Sequence, residues 1–250
     1  MQKFSIITAV FNRAETILNA VNSVQAQTYT NTEHVVVDGA STDGTVDILK
    51  QHLGANTVFL SESDKGIYDA LNKGIALATG DIVGFMHSDD SYANVRVLET
   101  VARAFEASDV DGVYADVLFF HPAAPDKPVR RYRSDRFSAD RLAWGWMPAH
   151  TTLFLRRRVY EQYGYFKSTY KIAADFEFIV RILADRKIKL AYIPEVLVHM
   201  NTGGASTAGL KSTIRLNQEV KRACAENGIR TNWFKILSKY PLKMLEYVRP

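Results

Sequence analysis

Asp89 and Asp90 stand together directly after the apolar run at 82–86. Each carboxylate is a hard oxygen ligand suited to Mg²⁺ or Mn²⁺, ions that commonly bind through one or two carboxylates plus substrate phosphates. The plain alternative is that Asp90 or Ser91 caps a turn or helix. Position at the end of an apolar strand favours the ligand. Asp38 opens a second polar turn, Asp38-Gly39-Ala40-Ser41-Thr42-Asp43-Gly44. It can brace that turn, as Asp does in turns generally, or accept a hydrogen bond from the imide N–H of a uracil ring. Asp175 precedes the helically spaced Phe178, Ile179, Ile182 and Leu183. As a first-turn carboxylate it is favoured by the helix dipole. As a general base it must stand within hydrogen-bond reach of the proton it removes. His34 and His52 read as peripheral, whereas His150 and His199 lie in segments that could fold over a site. A lone histidine is more often structural than a ligand.

The elements that must carry these residues alternate through the first half. Short β-branched runs at 4–10, 35–37, 58–60 and 82–86 read as buried strands. Helical spacing at 15–26, 42–53 and 68–78 fills the gaps between them, the second helix opened by Ser41-Thr42-Asp43 and the third closed by Gly80. Such βαβ alternation predicts an α/β fold, a single mostly parallel sheet flanked by helices. Ligands of open α/β sheets bind beyond the carboxyl ends of the strands. That rule selects Thr8-Ala9-Val10-Phe11-Asn12, the Asp38 turn, Glu62-Ser63-Asp64-Lys65-Gly66 and His87-Ser88-Asp89-Asp90. Farther along come a helix at 95–107, a strand at 112–118 and a Pro- and Arg-rich excursion or hairpin at 121–136. Strands at 152–155 and 190–193 follow, with helices at 157–163 and 175–184, a loop at Gly203-Gly204, and a helical remainder broken at Pro241.

The bulk properties set limits. The 250 residues, 47% apolar and 23% charged, are those of an ordinary globular chain. No apolar run approaches the roughly 20 residues that cross a bilayer. The opening Met1-Gln2-Lys3-Phe4 lacks a signal-peptide pattern, and the single Cys224 excludes an internal disulfide, which together point to the cytoplasm. Residues 208–250 hold nine Lys/Arg against three Asp/Glu, a local charge of +6 in a chain of net +4. This basic end, with Trp233, Phe234, Leu237, Met244, Leu245 and Val248 at roughly helical spacing among Lys235, Lys239, Lys243 and Arg249, could lie peripherally on an anionic membrane. Packing on the domain or pairing in a homodimer are the alternatives. No nucleic-acid-binding pattern is present, and neither the dinucleotide fingerprint nor a phosphate-binding P-loop appears.

Read in order with Asp175, the four strand ends resemble the family 2 glycosyltransferases of the GT-A fold, over nearly all of residues 3–205. Residues 8–12 look like the family's first nucleotide-contacting turn. Val35-Val36-Val37-Asp38-Gly39-Ala40-Ser41-Thr42-Asp43-Gly44-Thr45 is similar to its strand-two signature. Residues 64–80, DKGIYDALNKGIALATG, look like the segment beneath the ribose and diphosphate. A bacterial subgroup making exopolysaccharide, capsule and colanic-acid-type glycans is the nearest resemblance.

The resemblance implies a catalytic domain over 1–205, with a nucleotide half to about 115 and an acceptor half beyond it. A basic helical extension would occupy 206–250. It implies nucleotide-sugar contacts from Thr8, Ala9, Phe11, Asn12, Asp38, Gly39, Ser41, Asp64, Lys65, Gly66, Asp69, Asn72, His87 and Ser88. Asp89 would be the main ligand of Mn²⁺ or Mg²⁺, with Asp90 and His199 as second-rank ligands. Asp175 would be the catalytic base, and His150, Gly203 and Gly204 would lie on the acceptor side. The family's metal motif is commonly Asp-x-Asp, and His87 stands at its first position here. The implied reaction moves a hexosyl or N-acetylhexosaminyl group, with inversion, from a nucleotide sugar (UDP before GDP) to a glycan or polyprenyl-diphosphate-linked acceptor. A sugar nucleotidyltransferase and a non-catalytic nucleotide-sugar-binding protein are the rival readings.

Overall fold

The computed structural model describes residues 1–203 and 209–241. Strand β1 (Phe4–Val10) is buried along its whole length, because helices cover both faces of the sheet. Its sequence therefore runs almost without polar alternation. It pairs in parallel with β2 (Thr32–Asp38) on one side and β4 (Ile82–Phe85) on the other, and β2 pairs in parallel with β3 (Thr57–Ser61). Helices α1 (Ile17–Gln25), α2 (Thr45–His52) and α3 (Ile67–Leu77) make the crossovers. All four strands consequently end at one edge, and the turns that follow them meet there.

Beyond β4 the sheet becomes mixed. Strand β8 (Phe154–Arg156) joins β4 antiparallel, and β6 (Gly112–His121) joins β8 antiparallel. Strand β9 (Leu190–Asn201) lies parallel to β6, and the short β5 (Ser91–Tyr92) completes the order β3-β2-β1-β4-β8-β6-β9-β5. The excursion at 121–136 is a hairpin, with β7 (Ala124–Tyr132) folded back on β6. Strand β9 runs well past the expected end at 193. Pro194 reads as a terminator, but the β6–β9 pairing shifts register between Tyr114 and Asp116, opposite this stretch. A strand tolerates proline where the ladder is already interrupted.

The pleat of β1 divides the interior. Ile7 and Ala9 face a first core with Leu71 and Ile75 of α3, Val159 and Tyr160 of α5 (Arg157–Tyr163), and Phe178, Ile179 and Ile182 of α6 (Ala174–Leu183). Phe4 and Ile6 face a second, which includes Leu98 and Val101 of α4 (Val97–Ala107). Helices α7 (Leu210–Glu226) and α8 (Trp233–Leu237) add Val220, Ala223, Cys224 and Ile236 to the first core. The chain from 210 to 237 thus packs against the first core through these side chains. The side chains at 220, 223 and 224 form one apolar stripe on α7, which has no other place to bury itself. Trp233, Phe234 and Leu237 remain exposed. Lys243, Met244, Leu245, Val248 and Arg249 lie outside the described residues. Among the described residues no helix is long and apolar enough to cross a membrane.

Candidate active site

The turns after β1 and β2 are zipped together by side chains. The Asn12 N–H donates to Ser41 Oγ at 2.8 Å, and the Thr42 N–H donates to Asn12 Oδ1 at 2.9 Å. The Arg13 N–H reaches Thr45 Oγ1 at 2.9 Å, and the Ala14 N–H reaches Asp43 Oδ2 at 3.0 Å. Hydrogen bonds from Thr45 and Ala14 hold the Asp43 carboxyl below its ordinary range. Asn12 and Ala40 both carry positive φ, 51° and 61°. A non-glycine residue is held in that region only by surrounding bonds such as these.

Asp38 is spent on the same scaffold. It is fully buried, and it accepts the Ser41 hydroxyl on Oδ1, with the Ser41 N–H at 3.0 Å and the Ser61 hydroxyl at 2.7 Å on Oδ2. It braces this turn, and its side chain is fully buried. Thr8 is likewise fully buried, its hydroxyl 2.9 Å from His34 Nε2. Its hydroxyl faces the sheet interior. His34, expected at the periphery, is 4% exposed in the middle of β2, and burial drives its pKa down to about 4. Asn72 uses both ends of its carboxamide on Phe166, donating to the carbonyl at 2.8 Å and accepting from the N–H at 2.9 Å. It ties α3 to the segment at Phe166, and one N–H of its amide group is left over.

Other residues expected on the nucleotide side are presented at the edge. Phe11 is 57% exposed. A Cβ added at Gly39 would collide with Asp64 Oδ2 and touch Phe11, so glycine is what lets these three converge. Ala9 lies beneath them in the first core. Asp64 Oδ1 accepts the Gly66 N–H at 2.7 Å, with Gly66 at φ 114°, and Asp69 Oδ2 accepts the Lys65 N–H at 3.1 Å. Lys65 itself is exposed. This loop is preorganised at the start of α3, where backbone N–H groups favour anions.

The remaining chemistry gathers at the end of β4. His87 Nε2 lies 2.6 Å from His150 Nε2, and His150 Nδ1 lies 3.4 Å from Asp175 Oδ2. Residues 63 and 88 positions apart in the chain are therefore joined in a line. His150, expected only in an acceptor-side loop, is its middle member. Burial pushes both imidazoles down to about 4, so both are neutral near pH 7. One N–H can satisfy the line at each step if His150 keeps its proton on Nδ1 and accepts at Nε2 from His87. Asp175 sits in the first turn of α6 with its side chain 14% exposed. Burial raises its pKa to about 6, against partial relief from the Phe176 N–H, His87 and Tyr68. Tyr68, a residue not singled out in the sequence, donates to the Ile172 carbonyl at 2.6 Å and stands 3.3 Å from Asp175 Oδ1.

Asp89 is half-buried beside His87. Asp90 turns inward, 3% exposed, with Oδ1 accepting the Asn201 N–H at 3.2 Å and Oδ2 without a partner among the described residues. Burial, aided by the charge of Asp89, holds its carboxyl well above the ordinary range. Asn201 also donates to the Asp89 carbonyl at 2.6 Å, a second brace that no local sequence signal announces. His199 pairs with Ser91 across β5 and β9, and its ring packs on Phe120 at 4.8 Å. Among the described residues no three His, Cys, Asp or Glu side chains converge as a metal cage, so His199 does not complete one with Asp89 and Asp90. What is present fits an ion bound by one or two carboxylates and completed by phosphate oxygens, the habit of Mg²⁺ and its analogues. The unpartnered Asp90 Oδ2 beside Asp89 is consistent with that fit. Gly203 is exposed after β9 at φ 107°, and Gly204 lies outside the described residues.

The description "Glycosyl transferase family 2" matches residues 5–164. The chain belongs to this family. A PGL/p-HBAD biosynthesis glycosyltransferase of Mycobacterium bovis is 31% identical to this family 2 chain over 94% of its length and 93% of the relative's. An uncharacterised glycosyltransferase of Mycobacterium tuberculosis is 36% identical over 71% of the chain and 67% of the relative's. Among solved structures, residues 1–349 of S. aureus TarS in complex with UDP-GlcNAc align with TM-score 0.69 at 18% identity, covering 88% of this chain and 66% of that one. The mannosyltransferase PcManGT of Pyrobaculum calidifontis, in complex with GDP-Man and Mn²⁺, aligns with TM-score 0.66 at 20% identity, covering 90% and 64%. At these identities the structures establish the fold, and the fold is GT-A. The family match ends before Asp175, so the family 2 description itself does not include that residue.

Proposed function

We propose that this family 2 enzyme is an inverting glycosyltransferase, moving a sugar from a nucleotide-diphosphate donor to a hydroxyl of a glycan or lipid-linked acceptor in bacterial surface polysaccharide or glycolipid synthesis. One observation carries the proposal. A buried carboxylate with a raised pKa, Asp175, is joined through His150 to His87, next to Asp89 at the donor edge. A base and an anion-handling acidic turn at neighbouring positions are what single displacement at an anomeric carbon requires. Asp175 takes the proton of the acceptor hydroxyl as that oxygen attacks. His150 orients Asp175, and Asp64, Lys65 and Gly66 face the ribose and diphosphate. A divalent ion at Asp89 would stabilise negative charge on the leaving diphosphate as a Lewis acid. The relatives' names support a nucleotide-sugar donor of either base. UDP is the first carrier to test.

Phe11 offers the base an aromatic face. Phe11→Ala should raise the Kd for UDP by roughly 5- to 100-fold, the value of one base–aromatic stack. Its melting temperature should stay unchanged because the ring is exposed. Isothermal titration reads the first quantity and calorimetric melting the second. At α8, Lys221 stacks on Trp233 at 5.0 Å and Lys235 on Trp144 at 5.6 Å. Such basic, aromatic surface supports peripheral contact with an anionic membrane that holds a lipid-linked acceptor.

The test of the whole proposal is a panel of UDP- and GDP-sugars screened by thermal shift with and without Mn²⁺. Turnover of the stabilising donor follows, with the product's anomeric configuration read by NMR. Inversion is the expected result. Retention of configuration, or release of pyrophosphate as in a nucleotidyltransferase, would overturn the proposal.

A further inference from the structure

Residues 171–173 form the short loop that delivers Asp175 to the site, and it is held from two sides. Glu219 of α7, 9% exposed, accepts the Lys171 N–H on Oε1 at 3.0 Å and the Ile172 and Ala173 N–H groups on Oε2, each at 2.9 Å. Three successive N–H groups on one carboxylate are charge-assisted bonds, stronger than neutral ones. From the other side Tyr68 donates to the Ile172 carbonyl at 2.6 Å. Tyr68 lies in the first turn of α3, immediately after the Asp64-Lys65-Gly66 loop. Glu219 is fixed in turn by its neighbours Val220, Ala223 and Cys224, which belong to the first core.

We infer that Glu219 and Tyr68 are positioning residues for the reaction, a clamp that sets where the base stands relative to the donor loop. Helix α7, outside the 5–164 family match, is thereby part of the catalytic machinery. The inference rests on Asp175 being the base. Two features make the clamp more than a generic brace. It grips the backbone two to four residues before Asp175, so any slack is passed directly to the carboxylate. It also links the donor loop, through α3, to the base loop, so the two move as one body. Misplacement of a reacting group by about 1 Å can cost on the order of 100-fold in rate. The groups facing Asp175 are Tyr68, His150 and His87. Glu219 acts on the loop and not on the carboxylate itself.

The test compares Glu219→Gln, Glu219→Asp and Tyr68→Phe in the full chain, with Asp175→Asn as reference. Each variant is assayed for steady-state transfer from whichever nucleotide sugar turns over in the donor panel, and for binding of free UDP and GDP in the presence of Mn²⁺. In Glu219→Gln the amide NH₂ faces a backbone N–H, so at least one bond is lost. Its kcat should fall by roughly 10- to 100-fold while donor KM and nucleotide affinity hold within about twofold. The acid limb of its kcat/KM profile should move down from about 6, because a loosened loop lets water reach Asp175. Glu219→Asp should retain more activity than Glu219→Gln, and Tyr68→Phe should lower kcat with KM unchanged. A folded Glu219→Gln with wild-type kcat and an unmoved acid limb overturns the clamp. So does a loss of nucleotide affinity as large as the loss of kcat, which would mark a general brace. If Glu219→Gln does not fold, wild-type kcat in Tyr68→Phe overturns it instead. An inactive Asp175→Asn beside a fully active Glu219→Gln defeats the clamp alone, whereas an active Asp175→Asn defeats the base assignment as well.

Discussion

Asp175→Asn should abolish sugar transfer and at the same time stabilise the folded protein at neutral pH. The loss comes from chemistry. General-base catalysis contributes roughly a hundred- to ten-thousand-fold, and an amide cannot take the acceptor's proton. Donor affinity should change by no more than a few-fold, since Asp175 belongs to the acceptor side of the edge. The gain comes from electrostatics. Burial raises the Asp175 pKa from 3.8 to about 6, so the native state binds this proton more tightly than the unfolded chain does. Stability is therefore lost as pH rises from about 3.8 to about 6, and the whole penalty is present above that window. Asparagine removes the ionisation while its oxygen can still accept the Phe176 N–H, which Asp175 accepts at 2.8 Å. The mutant should be more stable by roughly 1–3 kcal/mol at pH 7.5 and by much less near pH 4. Product assays, donor calorimetry and melting at the two pH values read the three quantities. Full activity would remove Asp175 from the mechanism, and an unchanged melting temperature at pH 7.5 would contradict its raised pKa.

Asp89→Ala should erase the dependence of donor binding on divalent metal. In the wild type, UDP is expected to bind more tightly with Mn²⁺ than with EDTA, because Asp89 would hold an ion that offsets the diphosphate charge. In the mutant the two titrations should coincide at the weak, metal-free value, and transfer should fall by roughly 100-fold or more, the worth of stabilising charge on a leaving group. The half-buried Asp89 makes few contacts, so the fold should survive. A wild-type enzyme indifferent to EDTA would contradict the role given to the ion. His87 at the first position of the acidic motif gives the experiment its interest. It is neutral, with its pKa near 4, and is already occupied with His150. The carboxylates that the turn offers the ion are those of Asp89 and Asp90.

Much of the nucleotide half was legible in the residues. Strands buried on both faces are written as unbroken apolar runs, and turns that face ligands are written in Gly, Asp and Ser. Both signals are local, so β1, β2 and β4 and the turns after them stand where the pattern puts them. The acceptor half was less legible. Strands β8, β6 and β9 neighbour one another out of chain order, and β5 is two residues long. A pairing of that kind depends on distant partners and leaves little periodicity of its own.

The same division runs through the site. The sequence by itself determined which groups were available: carboxylates at 38, 64, 89, 90 and 175, imidazoles at 87 and 150, and glycines where the backbone must turn or approach closely. The tertiary structure alone decided which of these chemically equal groups had already been used. Asp38 is bonded to Ser41 and Ser61, Thr8 to His34, and Asn72 to Phe166, while Asp175 is buried with its pKa raised to about 6. It also decided that Glu219, 44 positions further on in a basic helical segment, would grip the loop that carries the base. The reason is physical. A carboxylate's charge and reach are fixed by its type, whereas its pKa and freedom to react depend on donors and solvent exclusion that only long-range packing supplies.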